Sequence, residues 1–187
     1  MQIKRYEEKY KEDVRYVCLN SNGPCTMNDS QQHLILTTYC DYFIEKEGRN
    51  CFIAVDENDR AIGYVLCAEN YDSYKKVFRK EYITRFRKTE IFSIITAELS
   101  SFLQSVYKKK YPAHMHIDIL PEYQRMGLGH KLMDALCENL KSKNIKGLCL
   151  TMYSGNKKGG SFYRKYGFTL LKKIAGVDVF ALKIKED

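Results

Sequence analysis

Apolar positions along this chain change their period several times, and each change marks an element. Residues 7–21 place Tyr10, Val14, Val17 and Cys18 three or four apart, the spacing of one helix face. A second helix is expected over 29–48, capped by Asp29 or Ser30 and stopped by Gly48. The stretch 21–30 between them holds Asn22-Gly23-Pro24, which cannot continue a helix. A first strand is read at 3–6. Over 51–70, two apolar β-branched runs flank Glu57-Asn58-Asp59-Arg60, a hairpin pattern. Residues 72–108 return to helical spacing, with Ile91, Ile94, Ile95, Leu99, Phe102, Leu103 and Val106 on one face, until Pro112. Residues 113–120 alternate, Met115, Ile117 and Ile119 against His114, His116, Asp118 and Leu120. A helix to about Lys143 then buries Leu128, Leu132, Met133, Leu136 and Leu140. A strand at 148–152, a short helix at 159–168 closed by Gly167, and a hairpin about Gly176 complete the pattern.

This order predicts an α/β chain with a mixed sheet and a right-handed β-α-β unit over 113–152. With 187 residues and no repeat or linker-like stretch, one domain over 1–187 is expected. No apolar run approaches the ~18 residues of a membrane span, and the charged start lacks a signal-peptide core, so the expected location is cytoplasmic. Seven cysteines without a C-x-x-C pair, several of them inside apolar runs, read as buried free thiols. The net charge of +8 suits an anionic ligand, yet 23 acidic residues are interleaved with the basic ones. That interleaving, with no recognisable module, argues against nucleic acid.

Chemistry concentrates where the strand at 113–120 meets its helix. Glycines in a strand–loop–helix junction let a ligand approach unpaired backbone N–H groups, and the helix dipole there favours anions. Gly127 and Gly129 therefore suggest a phosphate or pyrophosphate on the amides of about 125–130. A P-loop is excluded by the absence of G-x-x-x-x-G-K-[ST], and a dinucleotide fingerprint by Leu132 at the third glycine position.

The run Gln124-Arg125-Met126-Gly127-Leu128-Gly129 resembles the acetyl-CoA motif [QR]-x-x-G-x-[GA] of the GNAT N-acetyltransferase superfamily. A second segment, 156–168, is similar to the family's N-x-x-A-x-x-F-Y-x-K-x-G-F. Asn156, Phe162, Tyr163, Lys165, Gly167 and Phe168 match, and Gly159 replaces the usual alanine. The stretch HIDILPEYQRMGLG also resembles acetyltransferase-like domains found with bacterial O-GlcNAc-hydrolase-type proteins. The resemblance implies a GNAT fold: a mostly antiparallel sheet flanked by helices and splayed at the acetyl-CoA site, with extra helices at 72–108. It implies acetyl-CoA as cosubstrate, no metal, and direct attack by an amine acceptor, small molecule or peptide. Ile119 and Leu120 would offer backbone groups to pantetheine, with Gln124, Arg125, Met126, Gly127, Leu128, Gly129 and His130 around the pyrophosphate. Asn156 would meet the pantetheine arm and Tyr163 the sulfur. A non-catalytic GNAT-like domain that only binds acyl-CoA is the alternative.

The reaction needs a base for the ammonium proton, a donor for the carbonyl oxygen and a donor for the departing thiolate. Asp118 and His116 are the candidate bases, with Glu122 behind them. Asn156 can equally cap its helix, and Asp118 can equally bond a neighbouring strand. His114-x-His116-x-Asp118 could be read as metal ligands, but one strand converges poorly on an ion. Arg125, Lys131, Lys157, Lys158 and Arg164 lie near the expected phosphates. Residues 21–30 and 70–90, with Phe43, Tyr71 and Tyr74, would line the acceptor side. The helices at 72–108 would cover that cleft or form a homodimer face.

Overall fold

The computed structural model describes residues 1–86 and 102–184. Among the described residues seven strands form one sheet: β1 (Gln2–Arg5), β2 (Phe52–Val55), β3 (Ala61–Ala68), β4 (Ala113–Ile119), β5 (Gly147–Tyr153), β6 (Thr169–Ile174) and β7 (Val177–Lys183), in the order β1-β2-β3-β4-β5-β7-β6. All neighbours are antiparallel except β4 and β5. The helices are α1 (Lys11–Asn20), α2 (Asp29–Leu36), α3 (Tyr42–Lys46), α4 (Tyr71–Val77), α5 (Leu128–Ser142) and α6 (Lys157–Tyr166). The mixed, mostly antiparallel α/β architecture expected from the sequence is the one found.

Strand alternation decides which face each residue serves. Met115 and Ile119 join Leu150 and Phe180 beneath α5 and α6, where Leu128, Leu132, Met133, Leu136 and Leu140 are buried. His114, His116 and Asp118 point to the opposite face, under α1 to α4. There His114 lies 5.2 Å from Tyr74 and 5.6 Å from Phe43, ring centre to ring centre. Farther along that face Tyr111, Cys149, Val179 and Ala181 pack with Leu103 and Tyr107.

Three readings are corrected. Asn28, not Asp29 or Ser30, caps α2: its side chain accepts from Gln31 N–H while the Gln31 side chain accepts from Asn28 N–H. The expected helix over 29–48 is not uniform, because Thr37–Asp41 forms a π turn. Thr38 Oγ1 donates back to Leu34 O at 2.7 Å, a bond that loosens and bends a helix. The helix expected from residue 72 is α-helical only to Val77; a π turn over Phe78–Tyr82 and a 3-10 turn over Ile83–Arg85 follow, and Phe86 turns extended. Tyr82 Oη and the Arg85 guanidinium both bond Glu45 on α3, at 2.7 and 2.9 Å, and this tertiary grip outweighs helical spacing. Ile91, Ile94, Ile95 and Leu99 lie outside the described residues.

Candidate active site

β4 and β5 are paired only at Ala113 with Leu148 and at His114 with Cys149. Beyond those rungs β5 keeps its full ladder with β7, as far as Tyr153 with Val177. β4 keeps its ladder with β3, as far as Ile119 with Gly63. The two halves of the sheet therefore part, and a wedge opens between Met115–Ile119 and Leu150–Tyr153. Leu120 N–H bonds Ile62 O at 3.0 Å, so it is committed to the β3 side and is not offered to the wedge. Alternation turns the Ile119 backbone to the open edge, where its carbonyl accepts from Gln124 and its N–H is the group offered to the wedge.

The glycine segment stands at the mouth of this wedge. Gly127 caps α5 at φ +81°, where a Cβ would meet nothing within 4 Å, so its need for glycine is conformational. No side chain caps the helix, and the first-turn N–H groups of Leu128, Gly129 and His130 remain open to a ligand. Gly129 serves a different purpose from the close ligand approach expected of it. A Cβ there would lie 2.9 Å from Phe162 Cε2, so this glycine lets α6 pack on α5. Arg125 is left-handed at φ +63°, Met126 is 54% exposed, and His130 sits 5.5 Å from the rings of Phe162 and Tyr166. Arg125, Lys131, Lys157 and Lys158 are exposed around this helix end. Arg164 is less available: it donates to Gly160 O at 3.2 Å and lies over the Phe180 ring.

Gln124 is exposed, but its side-chain amide is engaged. Nε2 donates to Ile119 O at 2.9 Å and to Ser21 O at 3.0 Å. Asn156 caps α6, its Oδ1 accepting from Gly159 N–H at 2.9 Å. Gly159 stands where the family has alanine, and a Cβ there would crowd the Asn156 amide at 2.9 Å.

On the other face, Asp118 and Tyr64 are cross-strand partners, and Tyr64 Oη donates to Asp118 Oδ2 at 2.7 Å. Burial pushes the carboxyl up to about 6, more strongly than the Tyr64 bond and the neighbouring Ser21 side chain pull it down. Burial also pushes His116 down to about 4 and His114 well below the ordinary imidazole range, so both are neutral near pH 7. His116 lies edge-on to Phe43 at 5.1 Å and to Tyr39 at 5.2 Å. Tyr39 is carried by the π turn and is 40% exposed. Tyr163 rises from α6 among Phe162, Phe168 and Phe180. Burial holds its phenol above the ordinary range, and the Asp118 charge adds to the effect, so the two groups sense each other through the gap.

Tyr39, Tyr64 and Ser21 were not singled out by sequence reasoning. Ser21 lay in the loop assigned to the acceptor side, and Tyr64 is placed by β-ladder register alone. Glu122 is exposed on a short turn after β4. A surface cavity of about 630 Å³, lined by residues including Arg49, Glu69, Pro112 and Lys143, opens at the opposite end of β4, away from Asp118.

The model of the acetyltransferase (GNAT) family matches residues 16–168. The chain belongs to the GNAT acetyltransferase family. Solved structures show the same fold. SsHAT aligns at 22% identity over 99% of this chain and 98% of its own, with a TM-score of 0.82. The PaiA N-acetyltransferase of Thermoplasma acidophilum, solved with coenzyme A, gives 16% identity over 97% and 98%, with a TM-score of 0.61. The polyamine N-acetyltransferase of Drosophila melanogaster, described as forming N-acetylagmatine, gives 10% over 97% and 99%, with a TM-score of 0.66. As a GNAT enzyme the chain is an N-acetyltransferase that uses acetyl-CoA. Among the described residues no His, Cys, Asp and Glu cluster could hold a metal ion, and no helix is long and apolar enough to cross a membrane.

Proposed function

We propose that the 1–187 domain acetylates a primary amine, small molecule or peptide, with Asp118 as base and Tyr163 as the donor to the leaving sulfur. The observation that carries the assignment is the wedge between β4 and β5, with an uncapped helix N-terminus on one face and a half-buried carboxylate on the other. The residues present fit acetyl-CoA. Amides around 126–130 suit its pyrophosphate, the exposed cations nearby suit its phosphates, and the Ile119 N–H suits a pantetheine carbonyl, with Asn156 able to add its Nδ2 donor. The bound thioester supplies the activated acetyl group.

Asp118 outranks His116 by proton affinity. A carboxyl at about 6 is still charged at pH 7, attracts an ammonium, and binds a proton about 100-fold more tightly than an imidazole at about 4. His116 and Tyr39 instead offer the acceptor an uncharged aromatic wall. Tyr163 stays protonated, because both burial and the Asp118 charge oppose its ionisation. With a thiol pKa of about 8.5, outright proton transfer from so weak an acid is uphill. Its part is a hydrogen bond to the sulfur as negative charge collects there.

The likeness of 116–129 to domains found with O-GlcNAc-hydrolase-type proteins is confined to that segment and selects no acceptor. A cytoplasmic location and a homodimer belong to the same reading; sedimentation with and without CoA reads the latter. The decisive experiment is calorimetric titration with acetyl-CoA, then thiol release across agmatine, spermidine, phenethylamine and a peptide with a free N-terminus. Acceptor-dependent release supports the proposal. Binding without release for every amine favours a ligand-binding domain, and no binding overturns the site.

A further inference from the structure

We infer that the cavity at the far end of β4 is a second ligand site, one that takes a small molecule bearing several phosphate charges. It is separate from the acetyl-transfer site and does not rest on the roles given to Asp118 and Tyr163.

Four parts of the chain meet there: the Gly48–Asn50 turn, the residues after β3, the approach to β4, and the link from α5 to β5. The cavity holds about 630 Å³, within the roughly 300–1,000 Å³ that small-molecule sites occupy. Among the described residues its lining carries Arg49, Lys109, Lys143 and Lys146 against one carboxylate, Glu69, a net charge of +3. Such a lining repels cations, and a lone carboxylate would leave most of its charge unmet. A multiply charged anion matches it.

Loose surface lysines do not make a site, because each must be ordered when the ligand arrives. Here two of the cations are held in advance. Glu69 Oε1 accepts from the Arg49 guanidinium at 3.3 Å, and Glu69 Oε2 accepts from Lys143 Nζ at 2.6 Å. Fully buried Asn50 anchors the clamp: its Nδ2 donates to Glu69 Oε2 at 3.0 Å and to Glu47 Oε2 at 2.7 Å. Asn50 Oδ1 accepts from Lys143 Nζ and from Asn139 Nδ2. The Lys143 bond holds the Glu69 carboxyl below its ordinary range, so the clamp is charged at neutral pH. One carboxylate therefore sets an arginine fork and an ammonium on the same wall, a pairing that suits phosphate oxygens.

α5 ends at this cavity, and the negative end of a helix dipole opposes an anion. The chain closes that end itself: Asn144 N–H donates to Lys141 O at 2.9 Å and Ile145 N–H to Leu140 O at 3.0 Å. The open end of α5 lies 15 residues back, about 22 Å at 1.5 Å per residue, so the two anion sites are apart.

The test titrates inorganic pyrophosphate into the full chain, read by amide-resolved NMR and calorimetry, against sodium chloride at matched ionic strength. Amides of 69–70, 109–110 and 143–146 should shift and saturate with a Kd below about 1 mM. Those of 126–130 report the acetyl-CoA end separately. Lys109 and Lys146 are exposed, so their replacement leaves the core intact. Lys109→Ser with Lys146→Ser should weaken the far-end binding about tenfold or more, and Lys109→Ser alone about threefold, with the response at 126–130 unchanged. No saturable far-end shift, equal shifts with sodium chloride, or a Kd unmoved in the variants overturns the inference. Shifts confined to 126–130 overturn it while leaving the acetyl-CoA end standing.

Discussion

Replacing Asp118 with asparagine should make the protein more stable and nearly inactive, and the stability gain should depend on pH. Burial raises the carboxyl from its ordinary 3.8 to about 6, so the folded state holds this proton more tightly than the unfolded chain. Below about pH 4 both states are protonated and the site costs nothing. As pH climbs from 4 through 6 the unfolded chain ionises freely while the folded site resists, and stability falls. Above 6 the full penalty is present, about 3 kcal/mol at roughly 1.4 kcal/mol per tenfold change in proton affinity. Asparagine keeps an oxygen to accept from Tyr64 and carries no charge. Urea unfolding of wild type and Asp118→Asn should show the variant about 1–3 kcal/mol more stable at pH 7.5, with the gap closing toward pH 4. Loss of the base should lower kcat by ~10²-fold or more, and the wild-type kcat/KM should lose activity on an acid limb near pH 6. A variant no more stable than wild type at pH 7.5, or one whose gap ignores pH, would refute the argument that burial of charge dominates this site. Full activity would separately remove Asp118 as base.

Other substitutions separate roles that the motifs run together. Tyr163→Phe removes one hydroxyl from a packed ring and should reduce kcat about 10–100-fold with little change in acetyl-CoA affinity; unchanged kcat would show that this hydroxyl does not serve the sulfur. Asn156→Asp keeps the capping oxygen and loses the Nδ2 donor, so helix stability should hold while acetyl-CoA affinity falls; equal affinity would leave Asn156 a cap alone. Gly129→Ala forces a methyl against Phe162 and should cost about 1–3 kcal/mol by thermal or urea unfolding. A neutral result would mean that α5 and α6 can separate freely at that point.

Local signals were legible in the sequence, and long-range ones were not. Alternation along 113–119 correctly placed Asp118 and His116 opposite Met115 and Ile119, because a strand has only two faces. The apolar stripe from Leu128 to Leu140 buried as its spacing required. The glycines misled in part: Gly127 is needed for its backbone, Gly129 for the ring of Phe162, and one local string cannot distinguish them. The capping box of Asn28 and Gln31 was written in the sequence but outscored by the acidic and hydroxyl residues beside it. Tyr64 on Asp118 depends on register between strands 54 residues apart, and Gln124 on Ser21 depends on a loop meeting a turn. The π turn that presents Tyr39 comes from a hydroxyl bonding back into the helix, and helical periodicity averages over it.

Two rungs of parallel pairing are all that the β4 and β5 backbones share. The sheet is therefore two leaves on a short spine: β1 to β4 with their meander contacts, and the β5-β7-β6 leaf with its own. A cosubstrate whose amide-bearing arm enters the wedge contributes the rungs that the chain leaves out, and so acts as a temporary eighth strand. Ligand concentration then governs how far the leaves melt as one body, since occupancy adds stability as RT ln(1 + [L]/Kd). Starved of acetyl-CoA, the β5-β7-β6 leaf should exchange its amide hydrogens ahead of the other; saturated, the two should exchange together. On that reading, the gap that would admit the substrate is also the seam along which the molecule should come apart.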